Sequence, residues 1–231
     1  MVRIFLVCFI GASLLACSAH FRPTLSAKSL AVANLPADST TLAFLKPYQD
    51  TLAQTFGQVI ARCPEPMLVQ RPSSSLMNWC ADAILAQQSA NLRLAEPAIC
   101  LLNAGGLRSS FGQGLLTLAD FYKLMPFDNR ITWVHFPVSH LHLIASYLKK
   151  SGGEPLSGCL FENDQLQISG LTDHDSIWII TSDFLANGGD NMLFFKGLEK
   201  KETNTLLRDV FIEVAKMQQE LQVSNQVRVK L

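Results

Sequence analysis

Two short apolar runs, each followed by a pair of glycines, constrain the fold of this chain more than any other feature of its sequence. Residues 98–102 run directly into Asn103-Ala104-Gly105-Gly106, and residues 176–182 are followed by a second pair at Gly188-Gly189. Apolar runs of this length that end in turn residues are typical of buried β-strands. Adjacent glycines let the backbone turn sharply and approach a ligand closely. We therefore expect two core strands whose ends carry tight turns.

Helical patterns and weaker strand patterns surround these two runs. The predicted helices cover residues 41–59, 76–90, 117–123, 140–150 and 205–221. Further strands are predicted at residues 131–138 and 165–169, and the proline-containing residues 62–72 are expected to be extended. Because helices and strands are interspersed without a regular βαβ period, the expected fold class is α+β, as a single mixed α/β domain over residues 41–231.

The N-terminus carries the pattern of an export signal. Arg3 precedes an apolar run over residues 4–15, which is shorter than the roughly 20 residues that a membrane-spanning helix needs. The run ends in Leu14-Leu15-Ala16-Cys17, which resembles a lipobox. We expect residues 1–16 to be a signal peptide, Cys17 to carry a lipid, and residues 17–40, rich in Ser, Ala and Pro, to be a tether. The alternative is an ordinary signal peptide cut near Ala16 or Ala19.

This export pattern sets the expected location and redox surroundings. A lipid on Cys17 would anchor the chain to a bacterial membrane, facing the periplasm. Four further cysteines would then remain, at positions 63, 80, 100 and 159, and they allow three disulfide pairings that the sequence does not distinguish. Cys80 and Cys100 lie in apolar stretches and are expected to be buried free thiols. The spacing contains no CxxC pair, so a zinc site is not predicted.

Charge excludes one class of partner. The chain carries 19 basic and 19 acidic side chains. Binding to nucleic acid polymers depends on clustered positive charge, and a neutral chain has no such basis. We therefore expect no nucleic acid polymer as a partner.

Three segments hold the residue types that a nucleoside site needs. They are Asn103-Ala104-Gly105-Gly106-Leu107-Arg108, Pro126-Phe127-Asp128-Asn129 and Phe184-Leu185-Ala186-Asn187-Gly188-Gly189-Asp190. Aromatic rings stack on bases, amides donate to and accept from a base edge, and carboxylates accept from ribose hydroxyls. An arginine can bind two oxygens of a phosphate at once. Each segment alone also fits an ordinary structural turn.

Together, these segments resemble the C-terminal domain of the 5′-nucleotidase family, which carries an NGGGIR-like turn, a PFxN-like loop and an FLAxGGD-like turn in this order. The resemblance extends over residues 42–198. It implies that Phe127 and Phe184 sandwich the base, that Asn129 binds the base edge and that Asp190 binds the ribose. It also implies that Arg108, supported by Asn103, faces the phosphate. Arg71 resembles an upstream phosphate-binding arginine of the family, and Ser157-Gly158 resembles the family's SG turn.

The resemblance lacks the family's catalytic half. Family enzymes hydrolyse phosphate esters with two metal ions held by an N-terminal domain with DxH and NHE motifs, and this sequence has neither. We therefore expect no metal or cofactor in this chain and no hydrolysis by the chain alone. The leading hypothesis is the nucleotide-binding half of a split periplasmic 5′-nucleotidase, with divalent metals supplied by a separate metallophosphatase subunit. The alternative is a non-catalytic nucleoside- or nucleotide-binding lipoprotein. Neither hypothesis specifies the base or the number of phosphates.

Other chemically suggestive residues have simpler interpretations. His140 and His142 are two positions apart on a predicted helix and so would not face each other. Asp173-His174-Asp175 is expected to be a solvated loop, and Lys200, Lys201 and Glu202 a solvated run. The three tryptophans, Trp79, Trp133 and Trp178, lie in apolar stretches and are predicted core residues.

Overall fold

The computed structural model describes residues 38–91, 97–171 and 175–231. The predicted signal peptide, Cys17 and nearly all of the predicted tether lie outside these residues, as do Asp173 and His174. Residues 46–231 form one compact unit, and the described residues 38–45 belong to a separate unit. The sheets and the site described below belong to the unit of residues 46–231. Among the described residues, no helix combines the length and the apolar character that a membrane crossing requires.

The helices and strands alternate irregularly along the chain. The helices are α1 (Ser39–Phe56), α2 (Ser75–Asn91), α3 (Leu118–Leu124), α4 (Leu141–Ser151), α5 (Asp183–Ala186) and α6 (Leu207–Gln218). The strands are β1 (Val59–Cys63), β2 (Ala98–Leu101), β3 (Gly114–Thr117), β4 (Arg130–Pro137), β5 (Leu156–Ser157), β6 (Cys159–Glu162), β7 (Gln165–Ile168), β8 (Ser176–Ser182) and β9 (Lys200–Leu206). Short 3₁₀ turns cover Ala104–Gly106, Val138–His140, Gly189–Asn191 and Leu193–Phe195.

A five-stranded mixed sheet forms the centre of the fold, in the order β5-β2-β8-β4-β9. Strands β2 and β8 are parallel, whereas β5, β4 and β9 each run antiparallel to their neighbours. Two antiparallel pairs, β1–β3 and β6–β7, lie outside this sheet. The observed architecture is the single mixed α/β domain expected from the sequence.

Both faces of the central sheet are covered, which explains why β8 is apolar along its length. Trp178 and Ile180 contribute to a core with α2, α3 and α6, whereas Ile177 and Ile179 contribute to a second core with α4 and the β6–β7 pair. Strands that are buried on both faces carry continuous apolar runs because successive side chains point to opposite sides. All three tryptophans are buried, as predicted.

Several sequence predictions need correction. Residues 62–72 were expected to be extended, and their first two residues belong to β1, but its partner strand β3 was not predicted. Lys200, Lys201 and Glu202 are not simply a solvated run, because they open β9 at one edge of the sheet. The helix predicted at residues 140–150 begins at Leu141, because Val138–His140 form a 3₁₀ turn before it. The predicted end of α4 is confirmed, since Gly152 closes it in the left-handed conformation.

The four described cysteines are free and buried, as predicted for Cys80 and Cys100. Burial raises the pKa of the Cys80 and Cys100 thiols well above the ordinary value. For Cys159, burial raises the thiol pKa to about 12. Thiolate, the reactive form, is therefore scarce at these positions.

Candidate functional site

The sheet topology brings the three predicted motifs to one edge. Strands β2 and β8 are parallel, so the Asn103 turn and the Phe184 turn both follow carboxyl ends at the same side of the sheet. Strand β4 runs antiparallel to β8, with Ile131 opposite Ser182, so the loop that precedes β4 reaches this edge as well. The sequence order of the motifs does not show this convergence, which depends on strand pairing.

The first turn is tightly packed around Asn103. The Asn103 side chain is nearly buried, and its amide nitrogen donates to Asp190 Oδ2 at 2.6 Å. A Cβ atom on Gly106 would lie 2.7 Å from Asn103 Oδ1. Glycine is therefore required for Asn103 to reach Asp190, and the first and third motifs are joined directly by a hydrogen bond.

The loop of the second motif, residues 126–129, is stabilised by Arg208, a buried residue at the start of α6. Its guanidinium donates to the carbonyl oxygens of Met125 and Phe127 at 3.1 and 3.4 Å, and to Asp128 Oδ1 at 2.6 Å. It also lies over the Tyr122 ring, 4.2 Å from the ring centroid. These contacts fix the backbone that presents Phe127 to solvent.

The third turn folds the Phe184 ring over its own glycine. A Cβ atom on Gly189 would lie 2.5 Å from the Phe184 ring, so only glycine permits this contact. Asp190 has a φ of 49°, in the left-handed region that Asp and Asn tolerate better than most residues. This conformation places the Asp190 carboxylate beside the Asn103 turn.

Two further contacts support this arrangement. The Tyr147 hydroxyl donates to the Asp190 carbonyl oxygen at 3.1 Å. Burial, together with the nearby carboxylates of Glu154 and Asp190, raises the pKa of Tyr147 to about 12, so the hydroxyl keeps its proton at neutral pH. Asp183 Oδ1 accepts from the backbone N–H groups of Phe184 and Arg130 at 2.8 and 3.1 Å. Asp183 thereby links the two loops that carry the aromatic rings.

A cavity of about 300 Å³ lies between these three segments. Its lining contains six of the eight binding residues predicted from the sequence and two glycines of the first turn: Asn103, Gly105, Gly106, Arg108, Phe127, Asn129, Phe184 and Asp190. Phe127 is 42% exposed and Phe184 is 47% exposed, whereas most large aromatic side chains of the domain are in its cores. Two rings that face solvent within one cavity are available to contact a ligand.

Arg108 provides the positive charge of this cavity. Its side chain is exposed, and within the described residues its guanidinium donates a hydrogen bond to the Gly105 carbonyl oxygen at 3.3 Å. Its backbone N–H donates to the Leu124 carbonyl oxygen at 2.8 Å, which ties the first turn to the end of α3. An exposed guanidinium without a carboxylate partner can bind an anionic group of a ligand.

The two other predicted site residues lie outside this cavity. Arg71 Nη2 contacts Glu154 Oε1 at 2.7 Å, and Arg71 Nε donates to the Gly153 carbonyl oxygen at 2.8 Å. Gly158 follows β5 near Ala98, at the end of β2 away from the Asn103 turn. Its φ is +79°, and a Cβ there would lie 2.8 Å from the Ala98 carbonyl oxygen, so close packing accounts for glycine.

Sequence patterns did not reveal the four residues that support the cavity from behind. These residues stabilise the cavity through contacts with residues that lie up to 83 positions away in the chain, and they are Glu154, Tyr147, Asp183 and Arg208. Asp183 was the easiest of them to predict from the sequence, since an Asp that directly follows a strand commonly bonds to nearby backbone N–H groups. The others gave no local signal.

Metal-ligating side chains do not cluster in the described part of the chain. No group of three or more His, Cys, Asp or Glu residues is arranged there to hold a metal ion. The rings of His140 and His142 are 6.5 Å apart between centroids, and His142 Nδ1 lies 2.9 Å from the Ser139 carbonyl oxygen.

Comparison with known proteins agrees with this topology. Residues 59–136 match the family model described as 5′-nucleotidase, C-terminal domain, which includes the first two motifs. A 5′-nucleotidase precursor from Thermus thermophilus superposes with a TM-score of 0.64 at 21% identity, covering 82% of this chain and 42% of that one. The fold is that of a 5′-nucleotidase C-terminal domain. No curated protein sequence gives a significant match.

Other solved structures share this 5′-nucleotidase C-terminal fold. The NAD nucleotidase of Haemophilus influenzae gives a TM-score of 0.61 at 16% identity, with 84% of this chain and 41% of that chain covered. A putative 5′-nucleotidase from Staphylococcus aureus, in complex with α-ketoglutarate, gives 0.57 at 11% identity, with 87% and 45% covered. The chain therefore spans less than half the length of the solved proteins that it resembles.

Proposed function

We propose that this chain is the nucleotide-binding half of a split 5′-nucleotidase, which grips the nucleoside part of a substrate while a separate metallophosphatase chain hydrolyses the phosphate ester. The observation that carries the proposal is the single cavity lined by Phe127, Asn129, Phe184 and Asp190. These side chains supply two stacking faces, a base-edge amide and a ribose-binding carboxylate. They come from two separate segments and serve no evident purpose in the apolar cores.

Each contact in this proposal has a physical basis. Stacking of a base on an aromatic ring is worth about 1–3 kcal/mol. Asn103 orients the Asp190 carboxylate through Oδ2, and Oδ1 would accept from a ribose hydroxyl. Arg108 would approach the 5′-phosphate from the exposed side of the cavity. A cavity of about 300 Å³ is at the lower end of the range for small-molecule sites.

Hydrolysis is assigned to a partner because two-metal chemistry needs ligands that the described residues do not assemble. Divalent metal ions would therefore belong to a metallophosphatase chain. A second candidate is a stand-alone nucleoside- or nucleotide-binding protein without a catalytic partner. It is favoured by one observation: this chain supplies the two aromatic rings, the amide, the carboxylate and the arginine that would contact a nucleotide around one cavity.

Reconstitution separates these two functions. The purified chain should release no inorganic phosphate from AMP with Mg²⁺ or Mn²⁺, whereas a metallophosphatase chain that lacks its own C-terminal domain should become active when this chain is added. Asp190→Asn, which keeps a residue tolerant of left-handed φ, should abolish the gain. Nucleoside binding without any gain would favour the stand-alone binder. Metal-dependent phosphate release by the clean chain, lost in Asp190→Asn, would contradict both.

We also propose that the chain is exported and anchored through Cys17 to a bacterial membrane, with the domain facing the periplasm. The support is the order of Arg3, an apolar run, Ala16 and Cys17. Mass spectrometry of protein extracted from membranes should find a diacylglycerol-modified cysteine as the first residue. An unmodified N-terminus at or just after Ala16 or Ala19 would support the ordinary signal peptide instead.

A further inference from the structure

A buried carboxylate lies directly behind the first glycine turn and pairs with Arg71. The Glu154 side chain is 1% exposed, and its two oxygens have different partners. Oε1 accepts from Arg71 Nη2 at 2.7 Å, and Oε2 accepts from the backbone N–H of Ala104 at 2.6 Å. Arg71 is further engaged through Nε, which donates to the Gly153 carbonyl oxygen at 2.8 Å. The arginine is thus held by an acidic group that is itself built into the turn.

This pairing neutralises the positive charge that Arg71 would otherwise bring to the site. A carboxylate this deeply buried requires a partner, because an uncompensated buried charge is strongly destabilising. Arg71 therefore cannot leave Glu154 for a ligand phosphate without that penalty. The family resemblance assigns Arg71 to a phosphate, whereas in the structure its Nη2 donates to the Glu154 carboxylate.

The cavity lining carries one positive and one negative side chain, so its net charge is zero. Among the described residues, Arg108 is the only cationic side chain in its lining, and Asp190 is the only anionic one. Phe127 and Phe184 supply much of the remaining surface, and the amides Asn103 and Asn129 are neutral. A balanced, largely aromatic cavity recognises a neutral planar ligand more strongly than a polyanion.

Resting on the proposed function, we infer that this site selects its ligand by the nucleoside moiety and gains little affinity from phosphate groups. Its ligand class is therefore the nucleoside or nucleoside monophosphate. Glu154 is the residue that keeps Arg71 from phosphate recognition. Glu154 is a positioning residue in a second respect. Through Ala104 it anchors the turn whose next residue, Gly105, approaches Asp190 Oδ2. The same carboxylate thus shapes the ribose end and limits the charge of the site.

Calorimetric titration of the full chain with adenosine, AMP and ADP tests this inference. An exposed arginine–phosphate pair contributes up to about a fivefold gain in affinity, so AMP should bind no more than about fivefold tighter than adenosine, and ADP no tighter than AMP. Arg108→Ala should remove that small preference. Arg71→Ala/Glu154→Gln, which removes both charges of the buried pair, should leave the ratio of AMP to adenosine affinity unchanged within about twofold.

A wild-type preference for AMP of tenfold or more that disappears in Arg71→Ala/Glu154→Gln would overturn the inference and leave the proposed nucleoside site intact. If neither adenosine nor AMP bound to the folded chain, the proposed function itself would fail.

Thermal unfolding without ligand provides a second, independent measurement. Arg71→Ala and Glu154→Gln should each lower the unfolding midpoint, and the double variant should lower it by less than the two separate shifts combined, because the two side chains are partners. Strictly additive shifts would show that Arg71 is not committed to Glu154, and would overturn the inference even if binding were unchanged.

Discussion

Two cavities of this domain differ both in volume and in whether their polar side chains already have partners within the protein. The cavity at the Asn103 edge measures about 300 Å³, whereas a second cavity, between α2, β5 and the β6–β7 pair, measures about 610 Å³. The second cavity is lined by Asp82, Ser157, Gly158, Cys159, Leu160, Gln167, Ile168, Ser169, Gln226 and Arg228. By size alone, the second cavity would be the better candidate site.

The two cavities differ in whether their polar groups already have partners. In the larger cavity, Arg228 pairs with both oxygens of Asp82 at 2.7 Å and donates to the Leu156 carbonyl oxygen at 2.7 Å. The Ser157 hydroxyl also donates to Asp82. In the smaller cavity, Arg108 has no carboxylate partner among the described residues, and two phenylalanine rings face solvent. Satisfied polar groups hold a fold together, whereas unsatisfied groups at an exposed edge are available to a ligand.

The largest expected effect tests the structural role of the larger cavity. Arg228→Ala would leave Asp82 and the Leu156 carbonyl oxygen without their donor, and should lower the free energy of unfolding by about 3 kcal/mol. That figure is at the low end for a broken buried pair because the Asp82 side chain is 41% exposed. Urea unfolding would measure the loss, and adenosine affinity of the folded fraction should not change.

Arg108→Ala is the matched control for this arginine substitution. Arg108 is exposed and forms no ion pair with the described residues, so its removal should change the free energy of unfolding by no more than about 0.5 kcal/mol. A stable Arg228→Ala variant with weakened adenosine binding would reverse the assignment of the two cavities.

The next effect concerns binding in the smaller cavity. Phe184→Ala should weaken adenosine binding by about 1–3 kcal/mol, the stacking contribution, with little change in stability because the ring is 47% exposed. Calorimetric titration and urea unfolding of the same preparation would separate the two quantities. Met217→Ala, a change at a 71% exposed apolar residue of α6, should alter neither. A loss of stability with unaltered binding would assign Phe184 to the core.

The sequence predicted the smaller cavity well because its parts are local. A glycine pair after an apolar strand, with an aromatic or a carboxylate at fixed spacing, can be recognised within a few residues. The convergence of Asn103, Phe127 and Phe184 followed from the family resemblance rather than from the residues themselves. Its physical cause is the pairing of β2, β8 and β4, which no single segment contains.

The residues behind the cavity could not be predicted in the same way. Glu154 and Ala104 are 50 positions apart, and Arg208 and Asp128 are 80 positions apart. Their contacts depend on the tertiary fold. Strand β9 was missed for a different reason: its charged sequence, beginning Lys200-Lys201-Glu202, is unlike an apolar core strand but suits the exposed edge of a sheet. The pair formed by Arg71 and Glu154 could not be predicted either, because the two residues lie 83 positions apart.

A smaller effect is expected where the backbone shapes the cavity indirectly. Gly189→Ala would place a Cβ atom about where the Phe184 ring now lies, so the ring must move away. Adenosine binding should weaken by about 1 kcal/mol, part of the stacking contribution, and the loss should not add to that of Phe184→Ala. Calorimetric titration of the two single variants and the double variant would measure this coupling.

Gly112→Ala is the control for the added methyl group. A Cβ at Gly112 would meet no atom within 4 Å, so neither binding nor stability should change measurably. Additive losses from Gly189→Ala and Phe184→Ala would show that the glycine does not act through the ring.

The smallest expected effect is a near absence of reaction at Cys159, which lines the larger cavity. If that cavity admitted ligands as the smaller one is proposed to do, its thiol should be open to small reagents. Instead, Cys159 is 7% exposed, and burial raises its pKa to about 12, so little thiolate forms even at pH 9. Iodoacetamide should therefore label Cys159 negligibly in the native chain from pH 7 to 9, and readily in urea, as measured by peptide mass spectrometry. Cys100, which is fully buried in the central sheet, is the internal control and should be protected to the same extent. Rapid native labelling of Cys159 with Cys100 still protected would show that the larger cavity opens to solvent, and would remove the contrast between the two cavities on which the choice of site rests.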